Sequence, residues 1–126
     1  MRSATIAAAL ALATAALALP ATAPAGDVAR GRAVFNRTCQ NCHATAIGVN
    51  KIGPSLWAVL GRRAASVPDF NYSAALRQED RSWDEAALDA YLVNPRGVLH
   101  GVRMYFKGLA DARARADVIS YLATLK

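Results

Sequence analysis

Cysteine is scarce in this sequence: two residues in 126, Cys39 and Cys42. One pair allows a single local disulfide at most. It also supplies only half of a four-ligand zinc site, and no second pair exists. No stretch alternates apolar and polar residues as a strand does, so the βαβ setting of a redox dithiol is missing. Histidine is as rare, at His43 and His100, and methionine occurs only at Met1 and Met104. There are no repeats, and past residue 25 no low-complexity segment. Acidic residues number 9 against 15 Lys and Arg, a net charge of +6. The one extended apolar run, Ala4 to Leu19, is broken only by Thr5 and Thr14. It is shorter than the roughly 18 residues that a membrane span needs.

That run has a recognisable frame. Arg2 precedes it, Pro20 ends it, and small residues follow to Ala25. This is the layout of a secretory signal peptide over residues 1–25, and Ala23-Pro24-Ala25 places cleavage after Ala25. The run length argues against an uncleaved anchor. Removing 25 residues leaves 101, enough for one domain over 26–126, and losing Arg2 lowers the charge from +6 to +5. An exported, periplasmic protein is expected, and the high Ala and Arg content hints at a bacterial source.

The two cysteines sit in Cys39-Gln40-Asn41-Cys42-His43. C-x-x-C-H is the spacing of a c-type haem attachment site. The thiols add across the two haem vinyl groups, and His43, directly after, supplies the proximal nitrogen to iron. A redox dithiol, half a zinc site and a strained local disulfide are the competing readings. His43 beside the second thiol, together with the export signal, decides for haem c, one group, covalently held.

Around this motif the pattern is helical. Asp27 is an N-cap, and Val28, Gly31, Phe35 and Cys39 recur at helical spacing, which predicts a helix over 27–38. Gly31 inside it indicates close approach of another helix. Residues 44–53 form a loop, and 56–60 a short helix. Pro54 lacks an N–H, and its carbonyl is the expected acceptor for the far ring nitrogen of His43; it also serves as a helix-start proline. An irregular stretch turns at Pro68 and Asp69, and 73–77 makes one helical turn. Ser82-Trp83-Asp84-Glu85 reads as a capping box for a helix over 83–93, with Leu88, Tyr91 and Leu92 on its apolar face. Asn94-Pro95 stops that helix. The long loop 94–109 carries Met104, and such loops in small domains are usually functional. A last helix over 111–126 presents Val118, Tyr121, Leu122 and Leu125.

In this order the residues Gly31, Phe35, Cys39-x-x-Cys42-His43, Gly53-Pro54-Ser55-Leu56, Gly61-Arg62, Phe70-Asn71-Tyr72-Ser73, Trp83, Tyr91-Leu92-x-Asn94-Pro95, Met104-x-Phe106-x-Gly108 and Tyr121-Leu122 resemble a class I cytochrome c. The branch is that of the small soluble mitochondrial and bacterial c2-like proteins, and the resemblance covers essentially all of 26–126. It implies an all-α fold in which the N- and C-terminal helices cross, with short helices and loops wrapped around one covalent haem. It implies axial ligation by His43 and Met104. The residues add to this: Met104 is the sole methionine beyond the signal segment, and its Gly-rich loop suits a ligand better than a core filler. The resemblance further implies that Arg62, Tyr72 and Trp83 bond the inner propionate, and that Tyr91 donates to the Met104 sulfur. Apolar packing is an equally good account of Trp83 and Tyr91. The chain departs from the family at His100-Gly101-Val102-Arg103-Met104, where relatives read Pro-Gly-Thr-Lys-Met, and at Leu76, where relatives often carry Asn. A looser ligand loop follows, with His100 as an alternative iron ligand.

A six-coordinate His/Met haem has no open position for substrate, which points to a periplasmic one-electron carrier and not an enzyme. The alternatives are a haem-based sensor or gas-binding protein with a labile Met104, and a dedicated electron-accepting partner of one periplasmic dehydrogenase. The expected partners are redox proteins docking at the haem edge: a membrane oxidase, a quinol-oxidising complex or a periplasmic dehydrogenase. No nucleic acid, no stable membrane insertion and a monomer are expected. Lys51, Arg62, Arg63, Arg96, Arg103 and Lys107 are candidates to ring the edge, against a simply scattered basic surface.

Overall fold

The computed structural model describes residues 25–126, so the signal peptide expected over 1–25 lies, except for Ala25, outside the described residues. Five α-helices follow in chain order: α1 (Val28–Thr38), α2 (Ala74–Arg77), α3 (Glu85–Val93), α4 (Pro95–Val98) and α5 (Ala112–Leu122). Among the described residues the only β feature is an isolated bridge between Arg63 and Ser82. Among the described residues no helix is long and apolar enough to cross a membrane.

The largest helix–helix contact is α1 on α5. Gly31 is buried at the crossing, and a Cβ there would overlap the Asp117 carbonyl. The side chain is absent because two backbones meet, as the lone glycine in the helical pattern suggests. Phe35 and Tyr121 continue the contact with ring centroids 5.5 Å apart. Asp117 is buried beneath it. Its carboxylate accepts from the Asp27 N–H at 2.7 Å and from Arg30 Nε at 3.0 Å, tying the start of α1 to α5. Asp27 itself caps α1 by accepting from the Arg30 N–H at 2.8 Å.

Two expected helix starts are corrected. Residues 56–60 form turns, not a helix: Ala58 adopts φ +49° and gives its N–H to the Leu125 carbonyl at 2.9 Å. The cap of α3 is Asp84, not Ser82; its carboxylate accepts from the Ala87 N–H at 2.7 Å. Ser82 and Trp83 are committed elsewhere. The Trp83 N–H donates to the Arg62 carbonyl, the Gly61 N–H to Trp83, and the Ala64 N–H to Arg81. That pairing holds 81–83 extended, so the helix begins two residues late. It also brings Arg62 and Trp83 side by side. Within 94–109, Asn94 caps the short α4 through the Gly97 N–H. The last helix ends at Leu122, where the Ala123 N–H closes the final turn.

Candidate functional site

Between the end of α1, α3 and α5 lies a cavity of about 550 Å³. It falls within the range of ligand and cofactor pockets. Cys39, Cys42, His43, Pro54, Arg62, Tyr72, Trp83, Tyr91 and Met104 all line it. They come from the end of α1, the following loop, the extended pairing, α3 and the 99–110 loop, so the fold gathers residues 65 positions apart, from Cys39 to Met104. The remaining wall is chiefly aliphatic and aromatic, including Leu56, Val59, Leu88, Val102, Phe106, Leu109 and Val118.

The motif itself follows directly from α1. The helix ends at Thr38, and the Cys42 and His43 N–H groups fold back onto the Cys39 carbonyl at 3.1 and 3.0 Å. This tight turn sets both sulfurs and the imidazole along one wall. Both cysteines are free, Cys39 half-buried and Cys42 exposed. Burial pushes the Cys39 thiol up, against a lowering contact from Thr38.

His43 Nδ1 lies 2.7 Å from the Pro54 carbonyl oxygen. A carbonyl only accepts, so Nδ1 carries the proton. Burial pulls the imidazole below its ordinary pKa, opposed by that hydrogen bond. The neutral ring therefore keeps its lone pair on Nε2. Gly53 packs against the ring at Cε1, between the two nitrogens, where a Cβ would collide with it. Next to Pro54, Ser55 is buried; its hydroxyl donates to the Ala46 carbonyl at 2.6 Å and its N–H to Asn50 Oδ1 at 2.9 Å.

Arg62 spends two of its nitrogens on backbone: Nη1 on the Trp57 carbonyl at 2.6 Å and Nη2 on Ser55 at 2.9 Å. It is half-buried and so not part of an exposed basic ring. The Tyr72 hydroxyl accepts from the Val67 N–H at 3.2 Å, which leaves its own proton to donate. Trp83 and Tyr91 pack with centroids 5.0 Å apart and ring planes tilted by 44°. Burial pushes the Tyr91 phenol up to about 12, so it stays protonated at neutral pH. Met104 is half-buried, followed by Tyr105 at 93% exposure beneath the Arg96 guanidinium.

The donor set fits a covalently attached haem: two free thiols at the attachment spacing, a neutral imidazole with an orienting acceptor, and an apolar wall with a few polar groups. The sequence does not show how Asn50, in the expected loop over 44–53, and Ser55, in the Gly53-Pro54-Ser55-Leu56 segment, organise the site; their mutual hydrogen bond does. Arg115, near the start of the last helix, is buried.

No protein-family model matches the chain. Named relatives are clear. Cytochrome c2 of Rhodopila globiformis is 39% identical over 105 residues, 83% of this chain and 99% of that protein. The cytochrome c-type cyt cy of Rhodobacter capsulatus is 44% identical over 100 residues, 79% of this chain; the chain spans 50% of the length of that relative. Among solved structures, cytochrome cH from Methylobacterium extorquens superposes with a TM-score of 0.73 at 34% identity, covering 79% of this chain and 99% of that one. With its helical fold and its C-x-x-C-H motif at Cys39–His43, the chain belongs to the class I cytochromes c, in the c2-like branch, and carries one covalently attached haem c for electron transport.

Proposed function

We propose that the protein is a periplasmic one-electron carrier whose haem iron is held by His43 and Met104. The observation that carries this reading is the convergence of nine chemically suited side chains on one apolar cavity, with His43 Nδ1 fixed on Pro54 and Nε2 left as the ligand atom. When bound, the haem supplies a one-electron couple. The chain's residues do the rest. Cys39 and Cys42 make retention permanent. The Pro54 carbonyl orients the imidazole and strengthens it as a donor. Met104 supplies a thioether, a ligand that raises the potential. Tyr72, Trp83 and the always-charged Arg62 offer donors to the inner propionate, which would be costly to bury alone. The aliphatic wall keeps water from the iron, and the protonated Tyr91 offers a hydrogen bond to the Met104 sulfur.

The absorption spectrum of the purified exported protein, oxidised and reduced, with and without carbon monoxide, tests this reading. A low-spin spectrum with the weak red band of a methionine–ferric bond, and no reaction with carbon monoxide, is expected. Met104→Ala should lose the red band and react with carbon monoxide. Its potential should fall by on the order of 100 mV, a fraction of the span that axial ligands command. A high-spin or carbon monoxide-reactive wild type would move the protein to the sensor reading. Mass spectrometry of the exported chain tests cleavage after Ala25.

A further inference from the structure

Arg115 is the fourth residue of α5, at the end of its first turn, yet its side chain is only 10% exposed. A buried guanidinium needs partners for its fork of donors, and Arg115 has three. Nε donates to Asp89 Oδ1 on α3 at 2.7 Å. Nη1 donates to two successive carbonyls, Leu109 at 2.9 Å and Ala110 at 3.0 Å. Those carbonyls belong to the stretch where the Met104 loop rejoins the fold. One side chain thus joins α5, α3 and the exit of the loop.

The same exit is fixed from its other side. The Leu109 N–H donates to the Leu92 carbonyl at 2.8 Å, and Gly108, at φ +110°, lies so close to the Val93 carbonyl that no Cβ would fit. At its entrance the loop is held by α4 with Pro95 fully buried. Between these anchors only Val102 is buried, and the one side-chain hydrogen bond runs from Arg103 to the Asn71 carbonyl. A loop with so few buried contacts of its own takes its position from its ends.

Resting on the proposed His43/Met104 ligation, we infer that Arg115 is a positioning residue for Met104: its clamp on Leu109 and Ala110 holds the loop short enough to keep the thioether in the cavity. Releasing 109–110 lengthens the untethered segment and adds conformations in which Met104 lies outside. Lysine does not replace the arginine, because an ammonium on a flexible stem lacks the rigid fork that meets a carboxylate and two carbonyls at once.

The test uses the haem-loaded protein and imidazole as an incoming ligand. In Arg115→Lys, and in Asp89→Asn as a milder variant on the more exposed partner, imidazole should displace Met104 from the ferric protein faster by about tenfold or more, the equivalent of one lost charge-assisted hydrogen bond. The red methionine band should fade at a lower temperature than the helical circular dichroism. Val34→Ala in the α1–α5 core, away from the cavity, controls for general destabilisation: it should lower the melting temperature and leave the imidazole rate within about twofold. Wild-type displacement rates in both clamp variants, or equal acceleration in Val34→Ala, overturn the inference while the red band in the wild type upholds the ligation. A wild type without that band overturns the ligation reading, and this inference with it.

Discussion

At His43 three neighbours act on one ring, and each leaves a measurable trace. Burial and the Lys51 and Arg62 charges favour the neutral imidazole, the Pro54 carbonyl selects the Nδ1–H form, and Gly53 limits how far the ring turns. Only the first residues of this arrangement are contiguous in the chain, which is why Cys39, Cys42 and His43 are legible from spacing alone. Pro54 is legible for a different reason: the ligand's second nitrogen requires an acceptor. Gly53 stands in the family pattern, but the reason for it is not legible, since it arises from a ring that approaches in three dimensions. Gly53→Ala is accordingly expected to push the imidazole off its position, destabilising the protein by about 1–3 kcal/mol. It should also lower the proportion of chains carrying haem, read as the ratio of Soret to protein absorbance. Pro54→Ala keeps the carbonyl, so its ligand spectrum should match the wild type.

Among the elements, α1 and α5 carry the fold because their backbones meet at Gly31. A methyl group there overlaps the Asp117 carbonyl, so Gly31→Ala should cost about 1–3 kcal/mol in chemical denaturation. It should do so despite alanine's higher helix propensity; an unchanged or raised stability would show that the crossing gives way. Asp117 adds a pH signature to the same joint. The Asp27 N–H, then Arg30 and Arg113, hold its carboxyl below the ordinary aspartate value, against burial. Its contribution is therefore fully present above the unfolded value near 3.8 and is lost as pH falls through the lower folded value. Asp117→Asn should be less stable at neutral pH and should narrow its deficit against wild type below about pH 4, measured by denaturant melts across pH. These helices were readable from period and caps. The failures share one cause: segments whose backbone is claimed from afar. Ser82 looks like a cap until the 61–64 pairing takes its neighbours, and 56–60 looks helical until Ala58 bonds Leu125. Arg115 shares the i, i+3, i+7 stripe of Val118 and Leu122, and Asp117 stands one turn before Tyr121; a charge on either position reads as a break in the apolar pattern until partners from Asp89, Leu109 and Asp27 satisfy it.

For the molecule as a whole, the basic excess matters where it meets the cavity. Of the six cations expected at the edge, Arg62, Arg63 and Arg103 line it. Arg62 is half-buried and bound to backbone carbonyls, and Arg103 holds the Asn71 carbonyl. Arg63 is exposed and pairs only with Asp80, itself 85% exposed, at 2.9 Å. An exposed pair of this kind contributes little to stability, so Arg63 is a surface charge that substitution reads cleanly. Arg32 is an exposed charge on α1 that does not line the cavity. Arg63→Glu and Arg32→Glu change the net charge equally, so any difference between them isolates position. Oxidation of the reduced protein by ferricyanide, a small trianion, is expected to slow with rising ionic strength as the Debye length falls toward about 8 Å at physiological salt. Arg63→Glu should slow it more than Arg32→Glu at low salt, and the two rates should converge at high salt. Equal slowing would mean that net charge alone attracts the anion, and the scattered-surface reading of the basic residues would stand.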